Sequence, residues 1–323
     1  MLAGASGHIG GAVAAELAER QQPHLLLLRK PLGEGTNSDA PDSTRDVCIT
    51  DVTKDGDLAD VLRQALKARP IDTVVSCLAS RTGVRDDAWA VDYQANSNLL
   101  RAAEANGARQ FILLSAICVQ KPRLEFQRAK LAFERELADS KLTFTIVRPT
   151  AFFKSLSGQI PRVLDDKPYL LFGDGQGTAC KPISETDLAR FIVNCIDDRS
   201  RDNTIQPIGG PGDAITPREQ GELLFRLTGK PVRFRSVPVA MFSFAASILT
   251  PLGFAVPPLA AKAELARIGR YYATESMLLW DSKAERYDAA ATPSFGEMTL
   301  ESHYRRLLRD GLHGYEAGEQ KLF

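Results

Sequence analysis

Residues 4–10 read Gly4-Ala5-Ser6-Gly7-His8-Ile9-Gly10, three glycines spaced three apart, and the flanks of this stretch decide the fold. Met1, Leu2 and Ala3 precede it as the end of a strand. Ile9, Val13 and Leu17 follow at helical spacing, so the glycines turn a strand into a helix. Such a turn suits a dinucleotide pyrophosphate, because glycine lets phosphates approach the unpaired N–H groups and the partial positive charge of a helix N-terminus. The same glycines also fit a purely structural turn, and only the βα repeats downstream favour the nucleotide. The expected cofactor contacts here are Gly4, Ser6, Gly7, His8, Ile9 and Gly10.

Beyond the turn, apolar runs of strand length alternate with amphipathic helices. Strands are expected at 25–28, 47–49, 73–77, 111–115 and 143–147, the last stopped by Pro149. Between them, Leu58, Val61, Leu62, Ala65 and Leu66 form one helix face. A second helix runs through Asn96, Leu99 and Leu100 to a C-cap at Asn106-Gly107, and a third spans 125–138. Continuous apolar strands between helices imply a doubly wound parallel α/β sheet covered on both faces. Residues 1–150 are read as the nucleotide-binding domain. Residues 151–323 are read as a smaller C-terminal substrate-side region that partly completes the sheet. It holds a strand at 169–172, a helix opened by Ser184 and Asp187, and a Thr216-Pro217-Glu219 helix start closed by Gly229. The last apolar face is Leu300, Tyr304, Leu307 and Leu308.

The 323 residues carry 40 Lys plus Arg against 40 Asp plus Glu. A zero net charge lacks the basic surplus with which a general nucleic-acid binder releases counterions, so no nucleic-acid partner is expected. Hydrophobic residues at 44% and charged residues at 25% exclude a disordered or fibrous chain. Cys48, Cys77, Cys118, Cys180 and Cys195 stand singly, which predicts reduced, buried thiols and no metal site. The apolar stretch at 237–261 is broken by Pro238, Pro251, Pro257 and Pro258, which argues against an uninterrupted spanning helix. Phe242, Phe244, Leu249, Leu252 and Phe254 within it read either as ordinary core or as a greasy wall for a flat ligand reached from a membrane surface. Three residues before the glycine turn are short for a first strand, so the true start is expected upstream, or the central strand is frayed.

Arg29 lies nineteen residues past Gly10, near the position where an NAD-binding protein places an acid on the ribose hydroxyls. Here Arg29 and Lys30 stand instead, cations suited to a 2′-phosphate, and NADPH is the expected cofactor. Asp51, ending the third strand, either meets the adenine edge or caps a turn. Residues 76–81 follow the fourth strand at the carboxyl edge, where their backbone is expected to line the nicotinamide ribose. Ser115 ends the fifth strand, and Phe126 and Lys130 stand four apart on one face of the next helix.

This organisation resembles the short-chain dehydrogenase/reductases, Rossmann-like proteins in which Ser, Tyr and Lys occupy the positions of Ser115, Phe126 and Lys130. Phe126 has no ionisable hydrogen, which puts alcohol oxidation and carbonyl reduction in doubt. The resemblance leaves Lys130 to hold the nicotinamide ribose and Ser115 without its usual acid partner. These two are the catalytic candidates, against a reading of Phe126 as core and Lys130 as a surface cation.

Longer blocks are more specific. LSAICVQKP at 114–122, LEFQRAKL at 124–131, VRPTAFFKS at 147–155, ACKPISE at 179–185, PIGGPG at 207–212 and IGRYYATESM at 268–277 are similar to the divinyl chlorophyllide a 8-vinyl-reductase family. The resemblance implies an atypical short-chain enzyme that uses NADPH to reduce the 8-vinyl group of a divinyl chlorophyllide-type tetrapyrrole in chlorophyll or bacteriochlorophyll synthesis. A conjugated vinyl group accepts hydride without a tyrosine beside a carbonyl, which agrees with Phe126. Tyr271, Tyr272 and Lys154 are the proton-donor candidates. The competing readings are a non-catalytic NADP-sensing regulator and a nucleotide-binding structural subunit. With no leader recognised, a bacterial cytoplasm is expected, with peripheral membrane contact left open, or a chloroplast for a processed plant or algal form.

Overall fold

The computed structural model describes residues 1–31, 44–54, 56, 58–67, 69–253 and 257–312. Most of the polar stretch at 31–46, which reads as a loop, lies outside these residues, as does Phe254. Seven parallel strands form the main sheet: β1 (Leu2–Ala3), β2 (His24–Leu28), β3 (Arg45–Ile49), β4 (Thr73–Ser76), β5 (Gln110–Leu114), β6 (Thr143–Pro149) and, past the small β7 (Tyr169–Phe172), β8 (Thr204–Ile208). Their order is β3-β2-β1-β4-β5-β6-β8, and the direction of winding reverses between β1 and β4, where an open α/β sheet forms its ligand crevice.

Strand alternation explains the all-apolar runs. Leu25 and Leu27 face one side of the sheet, Leu26 and Leu28 the other, and both sides are covered. On one side α2 (Leu58–Leu66), α4 (Asn96–Ala105) and α5 (Glu125–Ala138) bury Leu62, Leu99, Phe133 and Leu137. On the other, α1 (His8–Glu19) packs its Ile9, Val13 and Leu17 face against Leu188 and Ile192 of α8 (Glu185–Asn194). β1 is short, as expected, yet not frayed: Leu2 and Ala3 are fully buried and pair with β2 and β4.

Residues beyond 150 supply β8 and α8, and also a second layer in which β7 pairs with β9 (Phe234–Val237). This pair is covered by α7 (Ile160–Leu164), α9 (Pro217–Thr228) and α12 (Leu300–Asp310), which share the cluster of Phe153, Tyr169, Leu171, Leu224 and Tyr304. α9 begins on the expected capping box, with Thr216 accepting from Glu219, and ends on Gly229 in the left-handed region. His303 is buried here against Phe153 and Ser157, and burial lowers its pKa to about 4 from 6.5. Above pH 6.5 the imidazole is neutral in both states. As pH falls from there to about 4, only the unfolded chain takes up the proton, so stability must fall. The unfolding free energy from urea titration should fall by about 2 kcal/mol between pH 7 and pH 5, and His303→Gln should flatten that slope.

The apolar stretch at 237–261 forms the hairpin of α10 (Ala240–Gly253) and α11 (Pro257–Thr274). This corrects the core reading: among residues 240–250 none is buried. Pro251 is accommodated inside α10, and no helix among the described residues is long and apolar enough to cross a membrane.

Candidate active site

The glycine turn is shaped by backbone contact. Gly4 sits at φ +86°, and a Cβ there would lie 2.7 Å from the Cys77 carbonyl group. A Cβ on Gly10 would lie 2.0 Å from the Gly4 oxygen, so only hydrogen fits between turn and helix. Gly7 is the N-cap of α1, with no side-chain cap and no acid in the first turn, so the helix terminus keeps donors for an anion. Ser6, Gly7 and His8 are exposed, whereas Ile9 and Gly10 are buried, which leaves only the backbone of Ile9 for ligand contact. The His8 imidazole is 2.7 Å from Glu185 on α8. Burial favours the neutral form of Glu185, but hydrogen bonds from His8 and the Lys154 amide outweigh it and leave the carboxyl below its ordinary pKa.

Arg29 and Lys30 are exposed just past β2. Asp51 accepts from both the amide and the hydroxyl of Thr53, so its carboxylate caps a turn. That hydroxyl bond and, more weakly, the charge of Arg29 hold its pKa down.

Lys130 is not a surface cation. It is 9% exposed and its Nζ lies 2.9 Å from Oδ1 of Asp92, itself 2% exposed. Asp92 belongs to a π-helical turn, Trp89–Ala95, that leads into α4. Asn96 donates to the Asp92 carbonyl and accepts from Ser76 at the end of β4, and the Ser80 amide donates to Asp92 Oδ1. Oδ2 of Asp92 is buried without a protein partner. The lysine is thus tied to the segment expected to line the nicotinamide ribose. Burial pushes the neighbouring Cys77 thiol up to about 12, against the opposing charge of Lys130, so it stays neutral.

Ser115 belongs to a second network: its hydroxyl donates to Glu134, which pairs with Arg148 of β6. The structure therefore places Ser115 and Lys130 on neighbouring elements but in separate polar networks. Phe126 packs beside Gly83 and joins the apolar cluster of Ile117, Leu124 and Ile268. α11 supplies Ile268 and Tyr271 to this cluster, so the hairpin helix covers the N-terminal end of α5. Tyr271 donates to the carbonyls of Cys118 and Lys121 and is occupied. The Tyr272 hydroxyl is a hydrogen-bond neighbour of the Cys118 thiol. Tyr272 as a whole is 38% exposed, but desolvation of its hydroxyl end, then the thiol, raise its pKa well above the usual value and keep it protonated.

Asp92, Asn96 and Glu134 were not singled out from sequence. The one available signal was Asp92 and Asn96 at i, i+4 after the fourth strand, a pattern that most exposed helix faces also show.

A family profile described as NAD(P)H-binding matches residues 4–199. The chain is 50% identical over 335 residues to a chloroplastic divinyl chlorophyllide a 8-vinyl-reductase of Cucumis sativus, covering 100% of this chain and 79% of that protein. It is 45% identical over 333 residues to the Arabidopsis thaliana protein of the same name, covering 99% and 79%. Among solved structures, the NADPH-dependent quinone oxidoreductase of Escherichia coli in complex with NADPH superposes with a TM-score of 0.67 at 18% identity, covering 95% of this chain and 99% of that one. A nucleoside-diphosphate-sugar epimerase from Staphylococcus aureus gives 0.66 at 18% identity, covering 94% and 99%. These last two likenesses concern the fold alone.

Proposed function

The chain belongs to the divinyl chlorophyllide a 8-vinyl-reductase family of NAD(P)H-binding proteins, and from that premise we propose how its residues divide the work of reducing the 8-vinyl group of a divinyl chlorophyllide-type pigment to ethyl. It is an oxidoreductase of chlorophyll synthesis that acts on a carbon–carbon double bond. The observation that carries the reading is similarity along the whole chain, joined to a glycine cradle that any Cβ at Gly10 would fill.

NADPH, when bound, supplies the hydride that one vinyl carbon receives. The backbone of Gly4, Ser6, Gly7, His8, Ile9 and Gly10 would hold its pyrophosphate, and Arg29 with Lys30 its 2′-phosphate. Asp51, through its turn, would border the adenine. Lys130 would donate hydrogen bonds to the nicotinamide ribose, oriented by Asp92. Ser115 orders the edge of β5 through Glu134 rather than acting as an acid. Phe126 and Ile268 would present an apolar wall that excludes water from the reacting carbons. Tyr272, protonated and beside Cys118, is the remaining hydroxyl suited to deliver the proton.

Purified protein incubated with NADPH and divinyl chlorophyllide should shift the pigment spectrum to that of the monovinyl form; no shift under reducing conditions would refute the assignment. Arg29→Ala should raise the KM for NADPH roughly tenfold and leave NADH use unchanged, since it removes a charge-assisted contact made to the 2′-phosphate alone. Tyr272→Phe should lower kcat by a factor of about 10² with little change in KM; unchanged kcat would show that the proton comes from elsewhere.

A further inference from the structure

We infer that the α10–α11 hairpin docks this protein on an anionic lipid surface. Met241, Phe244 and Ile248 stand three and four residues apart, hence on one face of α10, and are 53%, 68% and 45% exposed. The helix is held from elsewhere on its circumference. The Phe242 ring packs on Phe172 at 4.7 Å between centroids and lies so close to Gly269 of α11 that a Cβ there would be 2.6 Å from it. The three large apolar side chains are therefore left facing water, in a patch that a soluble protein ordinarily covers.

Charge selects what covers it. Residues 229–274 carry Lys230, Arg233, Arg235, Lys262, Arg267 and Arg270 against a single acid, Glu264, although the chain as a whole is neutral. Glu264 is buried and paired with Arg267, and Lys230 is paired with Asp166. Arg233, Arg235, Lys262 and Arg270 are exposed. An apolar stripe within a segment whose exposed charges are cationic is the composition of an interfacial helix, whose apolar side enters the acyl boundary while the cations meet lipid phosphates. A second copy fits less well, because a two-fold contact through this hairpin would bring the same cations together. A soluble anion would leave the stripe uncovered. The inference does not depend on the reaction assigned above.

The full chain should sediment with vesicles of phosphatidylcholine containing about one third phosphatidylglycerol, and several-fold less with phosphatidylcholine alone or at high salt. The double substitution Phe244→Ser with Ile248→Ser should lower the partition coefficient about tenfold or more while NADPH binding persists. Arg235→Glu with Lys262→Glu, both at exposed positions, should do the same without altering any apolar contact. No sedimentation of the wild type would overturn the proposal, as would unchanged sedimentation of both double variants. So would a concentration-dependent dimer abolished by the serine pair, which would make a second copy the occupant.

Discussion

Gly10→Ala is expected to reduce NADPH affinity at least a hundredfold, whereas Gly11→Ala, one residue on, leaves it nearly unchanged. The added methyl at position 10 would lie 2.0 Å from the Gly4 oxygen and 2.6 Å from its carbonyl carbon, both backbone atoms that no rotamer change can move. At position 11 the nearest atom is the Ala5 oxygen at 3.5 Å, an ordinary contact. To admit the first methyl the turn must open and carry the N-terminus of α1 away from the site its donors face. A hundredfold loss corresponds to about 2.7 kcal/mol, within reach of one displaced helix terminus and its hydrogen bonds. Fluorescence titration with NADPH, with thermal unfolding of both variants alongside, measures the effect. Equal affinities would remove the glycine turn from the cofactor site.

The second large effect is at Lys130. Lys130→Met should lower kcat/KM at least a hundredfold and destabilise the fold by about 3 kcal/mol, because Asp92 is left buried and charged without its cation. Asp92→Asn alone should cost a comparable amount of stability by stranding the ammonium. The double variant Lys130→Met with Asp92→Asn removes both charges and should regain most of the stability while remaining inactive. That divergence separates positioning chemistry from packing. Stability is read by urea denaturation, activity by the pigment spectrum, and a double variant that recovers both would reduce the pair to a structural bridge.

The glycine turn, the strand succession and the face carrying Phe126 and Lys130 were legible because each is a short-range pattern: a spacing of three, a run of strand length, a step of four. The place of Arg29 at the end of β2 was legible for the same reason, counted from the turn. Asp92 was not, since its importance lies in meeting Lys130 across two elements, and an aspartate on a helix carries no mark of what it will face. Ser115 shows the converse. Its place at the end of β5 was readable, but its bond to Glu134 and through it to Arg148 arises only when α5 packs beside β6. The hairpin makes the point most sharply. Hydropathy along 237–261 says that these side chains avoid water, but not whether other protein atoms surround them.

By itself, then, the sequence determined the alternation of strands and helices, the glycine turn between β1 and α1 and the placement of Phe126 and Lys130 one turn apart, all encoded in local periodicity and backbone sterics. Only the tertiary structure decided which charges were buried together and which apolar face was left outside, because burial and pairing depend on what the folded chain brings alongside from far away in sequence.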